Sequence, residues 1–528
     1  MDASSNNSPP KRVAIIGAGA AGMSCAATLA RHPDKFAVSL FDIAPYTGGQ
    51  ATSIDIDEGY HGAGWLNDGV QGGSSIFRHT LNFFQKYGYH AETVKLQVSF
   101  GKGKDSFFTN VFPSPLVDRY SAEIQKLGRV LTWIKRLMPV LGVMPVKIIL
   151  RLFRFSRDFA NIMVLPLMAL FLGTGNQTPN VPSVLLERLF DDPQMRLWDY
   201  DPDTLLPNQP EMCTFPKLGS FYRDWAQDLS SRGVRLHLET RVEVLQRDKK
   251  RGVTLRVRPV DANSEASPTI EVFDELVICM PADEAKTMLG KHATWRERYV
   301  LGGVRFFDDL TITHHDSTYF NSIFETRFKQ DLCAEATSEA RKDQIAFAKQ
   351  SPSTRSDGWE GFAPMYYIHS YQSAPDKIEM GFDCTNYQHQ FRQALGEGVQ
   401  GPEPDRHVYQ TIFLDKTQQH LWTWGNIDER KIISRKWWHQ FGHRWQHYTR
   451  VVPGMMFING KNRTLYAGAW TLVNMHEIAC ISGIAAAYRL GAEYEPFDDF
   501  ATDCFAKYLL VCHGTRYKSS KRSNAHRS

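Results

Sequence analysis

Three features that would each identify a class of protein are missing from this sequence of 528 residues. Its eight cysteines form no Cys-x-x-Cys pair and have no regular spacing, which argues against a zinc site or a disulfide framework. Its 61 basic and 57 acidic residues nearly cancel, so the net charge of +4 gives no field that favours nucleic acid. No apolar run reaches the roughly 18 residues that a membrane span needs. We therefore expect no metal, no nucleic-acid partner and no transmembrane segment.

The two ends of the sequence are polar. Residues 1–12 lack the apolar core of a secretory signal, so we expect a cytoplasmic location. Residues 516–528 are basic and polar, and we expect them to form a disordered tail. The length of the chain predicts two or three domains, and its apolar content of 42% is enough for a large core.

Residues 12–50 carry the clearest local pattern. Val13 to Ile16 is a short apolar run bounded by glycine, which is typical of a buried parallel strand. Residues 20–31 are rich in alanine, with Met23 and Leu29, and predict a helix, and residues 36–41 predict a second strand. The segment therefore predicts a strand, turn, helix, strand unit.

The turn of this unit has the glycine spacing of a dinucleotide site. Gly17, Gly19 and Gly22 match G-x-G-x-x-G, which serves a tight turn, a close approach to a pyrophosphate and close packing of helix on strand. The free N–H groups at the helix start, around Ala20 and Ala21, would bind the anion. The same spacing at 396–401 follows no buried strand and precedes two prolines, so we expect a loop there.

Two further signals indicate which dinucleotide is bound. Asp42 ends the second strand, where a carboxylate accepts hydrogen bonds from a ribose 2′-hydroxyl and repels a 2′-phosphate. Gly48 and Gly49 follow, and residues 64–75 form a second glycine-rich segment. An NAD site does not need these additions, whereas FAD has an extended chain that closely approaching backbone must cover. The sequence therefore favours FAD.

These motifs, GAGAAG, FD and TGG, resemble the opening of the two-dinucleotide-binding-domain flavoproteins of the amine oxidase and phytoene desaturase group. Residues 233–247 resemble the strand pair of that group that contacts the adenine end, residues 274–289 the strand beneath the cofactor, and residues 464–487 the segment that contacts the ribityl chain and flavin ring. The resemblance extends from residue 11 to about residue 495. It is strongest to a branch of amine-oxidase-like proteins that bind NAD or FAD.

The resemblance implies an α/β fold, with a Rossmann-like FAD-binding domain of the two-dinucleotide-binding-domain type and an inserted α+β substrate domain. The FAD-binding domain is expected to be discontinuous, and the ranges assigned to it are 1–85, 215–290 and 436–515. The substrate domain is assigned 86–214 and 291–435.

The resemblance also implies further contacts with FAD. They are expected at Gln50, Gly69, Val70, Val242, Gly468, Glu477 and Ile478. The chain departs from the group in having Gln50 where arginine is common and Ala469 where an acidic residue is common. No cysteine lies in the thirty residues before Gly468, where monoamine oxidases with covalently bound flavin have theirs, so we expect noncovalent FAD.

Candidate catalytic residues follow the last glycine turn. Trp470 is a candidate for a wall of the substrate pocket, or it packs in the core. His476 is a candidate acid or base because its ordinary pKa is about 6.5, or it orients the loop. His439, His443 and His447 would form one stripe if their segment were helical.

The apolar segment 140–175 predicts short helices separated by prolines. It is either helical core, the lining of a tunnel for a lipid-like or polyketide substrate, or a surface for peripheral membrane contact.

The predicted function is that of an FAD-dependent oxidoreductase, in which a small hydrophobic or amine-bearing substrate donates a hydride to flavin N5 and oxygen or another acceptor reoxidises the flavin. Desaturation and redox-neutral double-bond isomerisation remain open alternatives, as does a non-catalytic flavin-binding protein or redox sensor. The sequence leaves the oligomeric state undetermined.

Overall fold

A computed structural model describes residues 9–192, 195, 197–261 and 267–518 of the chain. Its first sheet contains β1 (Lys11–Ile16), β2 (Phe36–Phe41), β10 (Arg235–His237), β14 (Glu275–Ile278) and β22 (Thr464–Tyr466). These five strands are parallel and have the spatial order β10-β2-β1-β14-β22. Because β1 lies between two parallel neighbours, it is buried on both faces, which explains its continuous apolar run. Segments that are far apart in sequence therefore build one Rossmann-like sheet.

The second large sheet has seven strands. They are β7 (Val98–Phe100), β8 (Phe108–Thr109), β15 (Phe306–His314), β18 (Tyr366–Tyr371), β19 (Ala374–Asp383), β20 (Tyr409–Phe413) and β21 (Ile432–Phe441). Their spatial order is β21-β15-β20-β19-β18-β7-β8. Most neighbours are antiparallel, and β18 pairs with β7 in parallel.

The remaining strands of the described residues form four small sheets. They contain β3 (Ser53–Asp55) with β4 (Trp65–Asn67), β5 (Gly72–Gly73) and β6 (Glu92–Lys95) with β9 (Glu211–Thr214), β11 (Thr240–Asp248) with β12 (Gly252–Pro259) and β13 (Thr269–Phe273), and β16 (Ser353–Arg355) with β17 (Gly358–Glu360).

The α-helices surround these sheets. In chain order they are α1 (Ala20–Leu29), α2 (Glu58–His61), α3 (Arg78–Lys86), α4 (Pro115–Arg119), α5 (Ser121–Arg136), α6 (Val146–Leu152), α7 (Arg157–Phe159), α8 (Leu165–Leu172), α9 (Ser183–Asp191), α10 (Leu218–Ser231), α11 (Ala282–Leu289), α12 (Trp295–Leu301), α13 (Ser317–Ile323), α14 (Glu339–Ala348), α15 (Cys384–Tyr387), α16 (His389–Leu395), α17 (Val452–Ile458), α18 (His476–Leu490) and α19 (Asp499–His513). No helix in the described part of the chain is long and apolar enough to cross a bilayer.

Helices α1 and α18 pack so closely that only a glycine fits at their point of contact. A Cβ on Gly483 of α18 would lie 2.0 Å from the carbonyl oxygen of Ala21. This close approach needs small residues on both sides, and it fixes the N-terminal part of α18 beside the first helix. The small-residue composition of the segment after β22 is therefore explained by helix packing.

The apolar segment 140–175 forms the predicted short helices, and its second half is core. All residues of α8 except Phe171 are buried in the hydrophobic cluster beneath the seven-stranded sheet. Its first half, around α6, keeps several apolar side chains exposed.

Other local expectations were tested directly. The predicted strand, turn, helix, strand unit is confirmed by β1, α1 and β2. The second G-x-G-x-x-G copy follows α16 and lies in a loop, as expected, with Gly396 and Gly398 at positive φ.

The three-histidine segment is not one helix, because His439 lies in β21 and pairs with Asp308 of β15. Strand pairing along the whole edge of β15 overrides any helical pattern there.

The division into two discontinuous domains remains a prediction. Strand β21 belongs to the seven-stranded sheet up to Phe441 and so extends past the assigned boundary at 436. Most of the expected disordered tail, residues 519–528, lies outside the described residues.

Candidate functional site

The turn between β1 and α1 contains two glycines that the protein itself requires. Gly17 has φ +106°, and a Cβ there would lie 2.8 Å from the carbonyl oxygen of Cys279. A Cβ on Gly22 would lie 1.8 Å from the carbonyl oxygen of Gly17. These glycines serve the tight turn and the packing of α1 on the sheet, as the motif predicts.

Gly19 differs from both, because the protein leaves space beside it. Its φ is −73°, and the nearest atom to a Cβ placed there would be the Cα of Gly49, 3.9 Å away. Helix α1 begins at the next residue with no side-chain cap and no acidic residue in its first turn. The first-turn N–H groups of a helix lack intrahelical partners and attract anions. The turn therefore has both the space and the donors that a pyrophosphate requires.

Asp42 is fixed at the carboxyl end of β2, next to this turn. One carboxylate oxygen accepts a hydrogen bond from the backbone N–H of Ala18 at 2.5 Å, and the other accepts from that of Ala44 at 2.8 Å. The side chain is half-buried. A carboxylate held in this way keeps lone pairs for ribose hydroxyls, and the ribose contact remains a prediction.

The two glycine-rich segments meet at this turn. The N–H of Gly48 donates to the carbonyl of Ala18 at 2.8 Å, which pairs Gly48 with Gly19 and brings Gly49 beside them. A Cβ on Gly69 would lie 2.0 Å from the carbonyl oxygen of Gln50. The backbone around residue 69, including half-buried Val70, is thus packed directly on the first segment.

Strand β21 closes over the second glycine segment. The indole of Trp438 would lie 2.8 Å from a Cβ on Gly69, and the side-chain amide of Gln50 donates to the carbonyl of His439 at 3.0 Å. The ammonium of Lys436 donates to Thr52 at 2.7 Å and to Asp68 at 3.0 Å. Lys436 therefore places a fixed positive charge beside the glycine segments.

Sequence reasoning placed Lys436 and His439 in the range 436–515 assigned to the FAD-binding domain, but it predicted no contact of either residue with the glycine segments. They follow the glycine segments by more than 360 residues and belong to no motif, so no local signal identifies them. Only the strand that carries them brings them here.

His439 connects the seven-stranded sheet to α11, the helix that follows β14. Its Nε2 lies 2.8 Å from Asp283 of α11, and its Nδ1 lies 2.8 Å from Asp308 of β15. The hydrogen bond with Asp283 raises the pKa of His439 to about 9, since it outweighs the opposing effect of burial, and Asp308 adds to the increase. The imidazolium is therefore charged at neutral pH and joins two carboxylates.

The last glycine turn follows β22. Gly468 has φ +134°, and its N–H donates to the hydroxyl of Ser482 at 2.8 Å. The indole N–H of Trp470 donates to the carbonyl of Met280 at 3.0 Å, and the side chain is buried. Trp470 thus lies against the segment that follows β14, and its place in a pocket wall remains a prediction.

His476 is enclosed by hydroxyl groups. Its Nε2 lies 2.6 Å from the hydroxyl of Tyr222, and its Nδ1 lies 3.0 Å from that of Thr80. Burial lowers the pKa of His476 to about 4, so the imidazole is neutral at pH 7. In this geometry neither ring nitrogen is free, and an acid or base role for His476 remains a prediction.

Glu477 stabilises a different helix from its own. Its carboxylate accepts hydrogen bonds from the backbone N–H groups of His79 and Thr80, at 2.9 and 2.8 Å, and lies 2.7 Å from the His79 ring. Burial favours a higher pKa, but the His79 ring and these hydrogen bonds outweigh it and hold the pKa of Glu477 below its ordinary value. The first turn of α3 thereby receives the negative charge it favours. A direct contact of Glu477 with a cofactor remains a prediction.

Two residues remain of those expected to contact the cofactor. Val242 is buried in β11 and pairs with Val257 of β12. Ile478 is half-buried in the first turn of α18. Their contacts with a cofactor also remain predictions.

Comparisons with known proteins agree with this geometry. Residues 15–87 match the family model of the NAD(P)-binding Rossmann-like domain. No protein of curated function matches the chain in sequence.

Solved structures match nearly the whole chain. A CLA-producing fatty acid isomerase from P. acnes shares 16% identity over 91% of this chain and 98% of its own, with a TM-score of 0.57. A putative protoporphyrinogen oxidase from Exiguobacterium sp. 255-15 shares 11% over 91% and 99%, with a TM-score of 0.57. Cyclohexylamine oxidase from Brevibacterium oxydans shares 11% over 91% and 99%, with a TM-score of 0.55. These likenesses confirm the expected fold, which is that of the amine-oxidase-like proteins.

Proposed function

We propose that this chain, which has a Rossmann-like dinucleotide-binding domain and the amine-oxidase-like fold, is an FAD-dependent oxidoreductase. Its substrate is a hydrophobic or amine-bearing organic molecule that donates a hydride to the flavin. FAD supplies the hydride acceptor, and the protein binds and orients both molecules.

The observation that carries this proposal is the free space beside Gly19. Nothing in the protein needs a glycine there, since its φ is ordinary and a Cβ would make no close contact. A phosphate chain approaching the uncapped start of α1 does need it. The resemblance of the sequence to the two-dinucleotide-binding-domain flavoproteins, together with the fold of the matched oxidase and isomerase structures, favours FAD over NAD.

The residues of the chain divide the binding of FAD among them. The first-turn amides of α1 hold the pyrophosphate and Asp42 accepts from the ribose. Lys436, held by Asp68 and Thr52, contributes positive charge near the second glycine segment. A positive charge close to the flavin would favour its reduced, anionic form.

Cofactor retention tests the proposal. Wild-type protein produced with ample riboflavin should be yellow, whereas Gly19→Val should fold with the same circular dichroism and be colourless. Gly425→Val is the matched control, because Gly425 also has ordinary φ and open space around its Cβ but lies in a 3₁₀ turn (Trp424–Asn426) outside the glycine segments. A colourless wild-type protein that takes up no added FAD, or a yellow Gly19→Val variant, would refute the proposal.

A redox-neutral double-bond isomerase is the second candidate, and the apolar interior of the second domain favours it. Helix α8 is buried and contains no polar residue, so a substrate held nearby would be lipid-like. Anaerobic mixing with amines and with unsaturated fatty acids separates the candidates. Lasting flavin bleaching with peroxide release on re-aeration indicates an oxidase, while a shifted double bond without net bleaching indicates an isomerase. A flavin that responds to neither class would indicate a non-catalytic flavoprotein.

A further inference from the structure

A helical hairpin on the second domain has features that the proposed reaction does not use. Residues 121–157, named here the basic hairpin, comprise α5, a π-helical turn (Met138–Gly142), α6 and the loop that follows α6. Lys126 of α5 donates to the carbonyl of Arg154 at 2.9 Å, and Glu123 accepts from the backbone and the hydroxyl of Ser156. These bonds hold the end of the hairpin beside its beginning.

The inner face of the basic hairpin is anchored in the core. Ile124, Leu127, Leu131 and Ile134 of α5, and Ile149 of α6, are buried in the cluster beneath the seven-stranded sheet. Their spacing of three and four residues leaves the opposite side of α5 facing solvent.

The outer face of the basic hairpin exposes apolar side chains to solvent. Six large apolar side chains within twenty consecutive residues are exposed, and they are Trp133 (49%), Leu137 (46%), Val140 (59%), Val143 (39%), Ile148 (39%) and Leu152 (57%). Single exposed apolar residues are normal, but six within twenty consecutive residues of one hairpin indicate an interaction surface.

The charge of the basic hairpin identifies the kind of partner. Residues 121–157 contain eight lysines and arginines and one acidic residue, Glu123, whereas the whole chain carries only +4. Lys135 is paired with Asp191, and no ion pair among the described residues involves Arg129, Arg136, Lys147, Arg151 or Arg157. The exposed residues of α6 form two neighbouring pairs of one cation and one apolar residue. These pairs are Lys147 with Ile148 and Arg151 with Leu152. Cations thus border the apolar side chains.

We propose that the basic hairpin is a docking surface for an anionic lipid bilayer. Exposed tryptophan and aliphatic side chains bordered by lysine and arginine are the pattern of helices that lie in the membrane interface. Acidic headgroups neutralise the cations while the apolar side chains enter the acyl boundary. A second copy of the chain fits less well, because facing hairpins would bring like charges together.

Vesicle flotation with the full-length holoprotein tests this proposal. We expect binding to vesicles of phosphatidylcholine with about 30% phosphatidylserine, little binding to phosphatidylcholine alone, and release at about 0.5 M salt. The double substitution Lys147→Glu with Arg151→Glu should weaken binding by about 30-fold or more. Trp133→Ser should weaken it by about tenfold, because it removes an interfacial anchor.

Trp295→Ser is the matched control, since Trp295 is an exposed tryptophan outside the hairpin, at 68%. It should bind vesicles like the wild type, and all variants should keep the wild-type flavin spectrum, which separates this proposal from the proposed reaction. Equal binding to neutral and anionic vesicles, or no binding to either, would overturn the proposal. So would a dimer in solution that Trp133→Ser dissociates, because the surface would then be covered by a second copy.

Discussion

At the scale of single residues, Glu477 connects two helices through one buried carboxylate. It accepts from the backbone of His79 and Thr80 and pairs with the His79 ring. Glu477→Gln should lower the free energy of unfolding by about 3 kcal/mol at neutral pH, because it replaces the charged acceptor of these buried hydrogen bonds with a neutral amide. Chemical denaturation measures this loss, and Glu397→Gln, at an exposed position, should change little.

The pH dependence of this effect has a definite sign. The pKa of Glu477 is lower in the folded protein, so its stabilisation is present above the ordinary value of about 4.3 and is lost as the pH falls through the folded pKa. The stability difference between wild type and Glu477→Gln should therefore shrink in acid. A difference that stays constant down to pH 3 would contradict the assigned hydrogen bonds to an ionised Glu477 carboxylate.

His439 titrates in the opposite sense. Its pKa is raised to about 9, so its stabilising contacts with Asp283 and Asp308 are fully present below about 6.5 and are lost as the pH rises through 9. The pair is partly exposed, and screening limits the gain to about 1 kcal/mol. His439→Gln should lower the thermal midpoint at pH 6 and match the wild type near pH 10. An unchanged midpoint at pH 6 would exclude a stabilising bridge between α11 and the seven-stranded sheet.

At the scale of elements, the contact between α1 and α18 depends on one missing side chain. A Cβ on Gly483 would lie 2.0 Å from the backbone of Ala21, which cannot move away without shifting α1. Gly483→Ala should therefore destabilise the protein by about 1 to 3 kcal/mol, although alanine favours helix.

Gly219→Ala in α10 is the comparison for this helix contact. The nearest atom to its Cβ would be 3.6 Å away, and alanine there should be neutral or stabilise by up to about 1 kcal/mol. Urea unfolding of both variants checks the pair. If both glycines tolerated alanine equally, the contact between α1 and α18 would not require a glycine at position 483.

At the scale of the whole molecule, cofactor binding should stabilise a fold built from separated segments. The site joins β1, β2, the two glycine segments and β21, so FAD would tie residues 17–70 to the seven-stranded sheet. FAD at 100 times its dissociation constant should stabilise the native state by about 2.7 kcal/mol. Thermal unfolding of flavin-free protein with and without FAD measures the shift, and Gly19→Val should show none. A wild-type midpoint that FAD leaves unchanged would contradict binding to the native state.

The sequence predicted correctly those features that depend on residues close together in the chain. Residues 12–50 contain the strand, turn and helix that form the phosphate cradle, and glycine spacing reports directly on backbone geometry. The second strand of that unit was also predicted, with the bounds that β2 has, Phe36–Phe41. The histidine segment at 439–447 was not, because its structure depends on a partner strand more than a hundred residues earlier.

By itself, therefore, the sequence determined a dinucleotide-binding turn, the order of the elements around it along the chain and a carboxylate at the end of β2, since these follow from residues close together in the chain. Only the tertiary structure decided that Gly19 alone of the first three glycines faces free space, that His476 is enclosed by Tyr222 and Thr80, and that Lys436 reaches the glycine segments. The physical reason is that the burial of a residue and its hydrogen-bond partners depend on which distant segments the sheets bring together. The local sequence around a residue does not specify those segments.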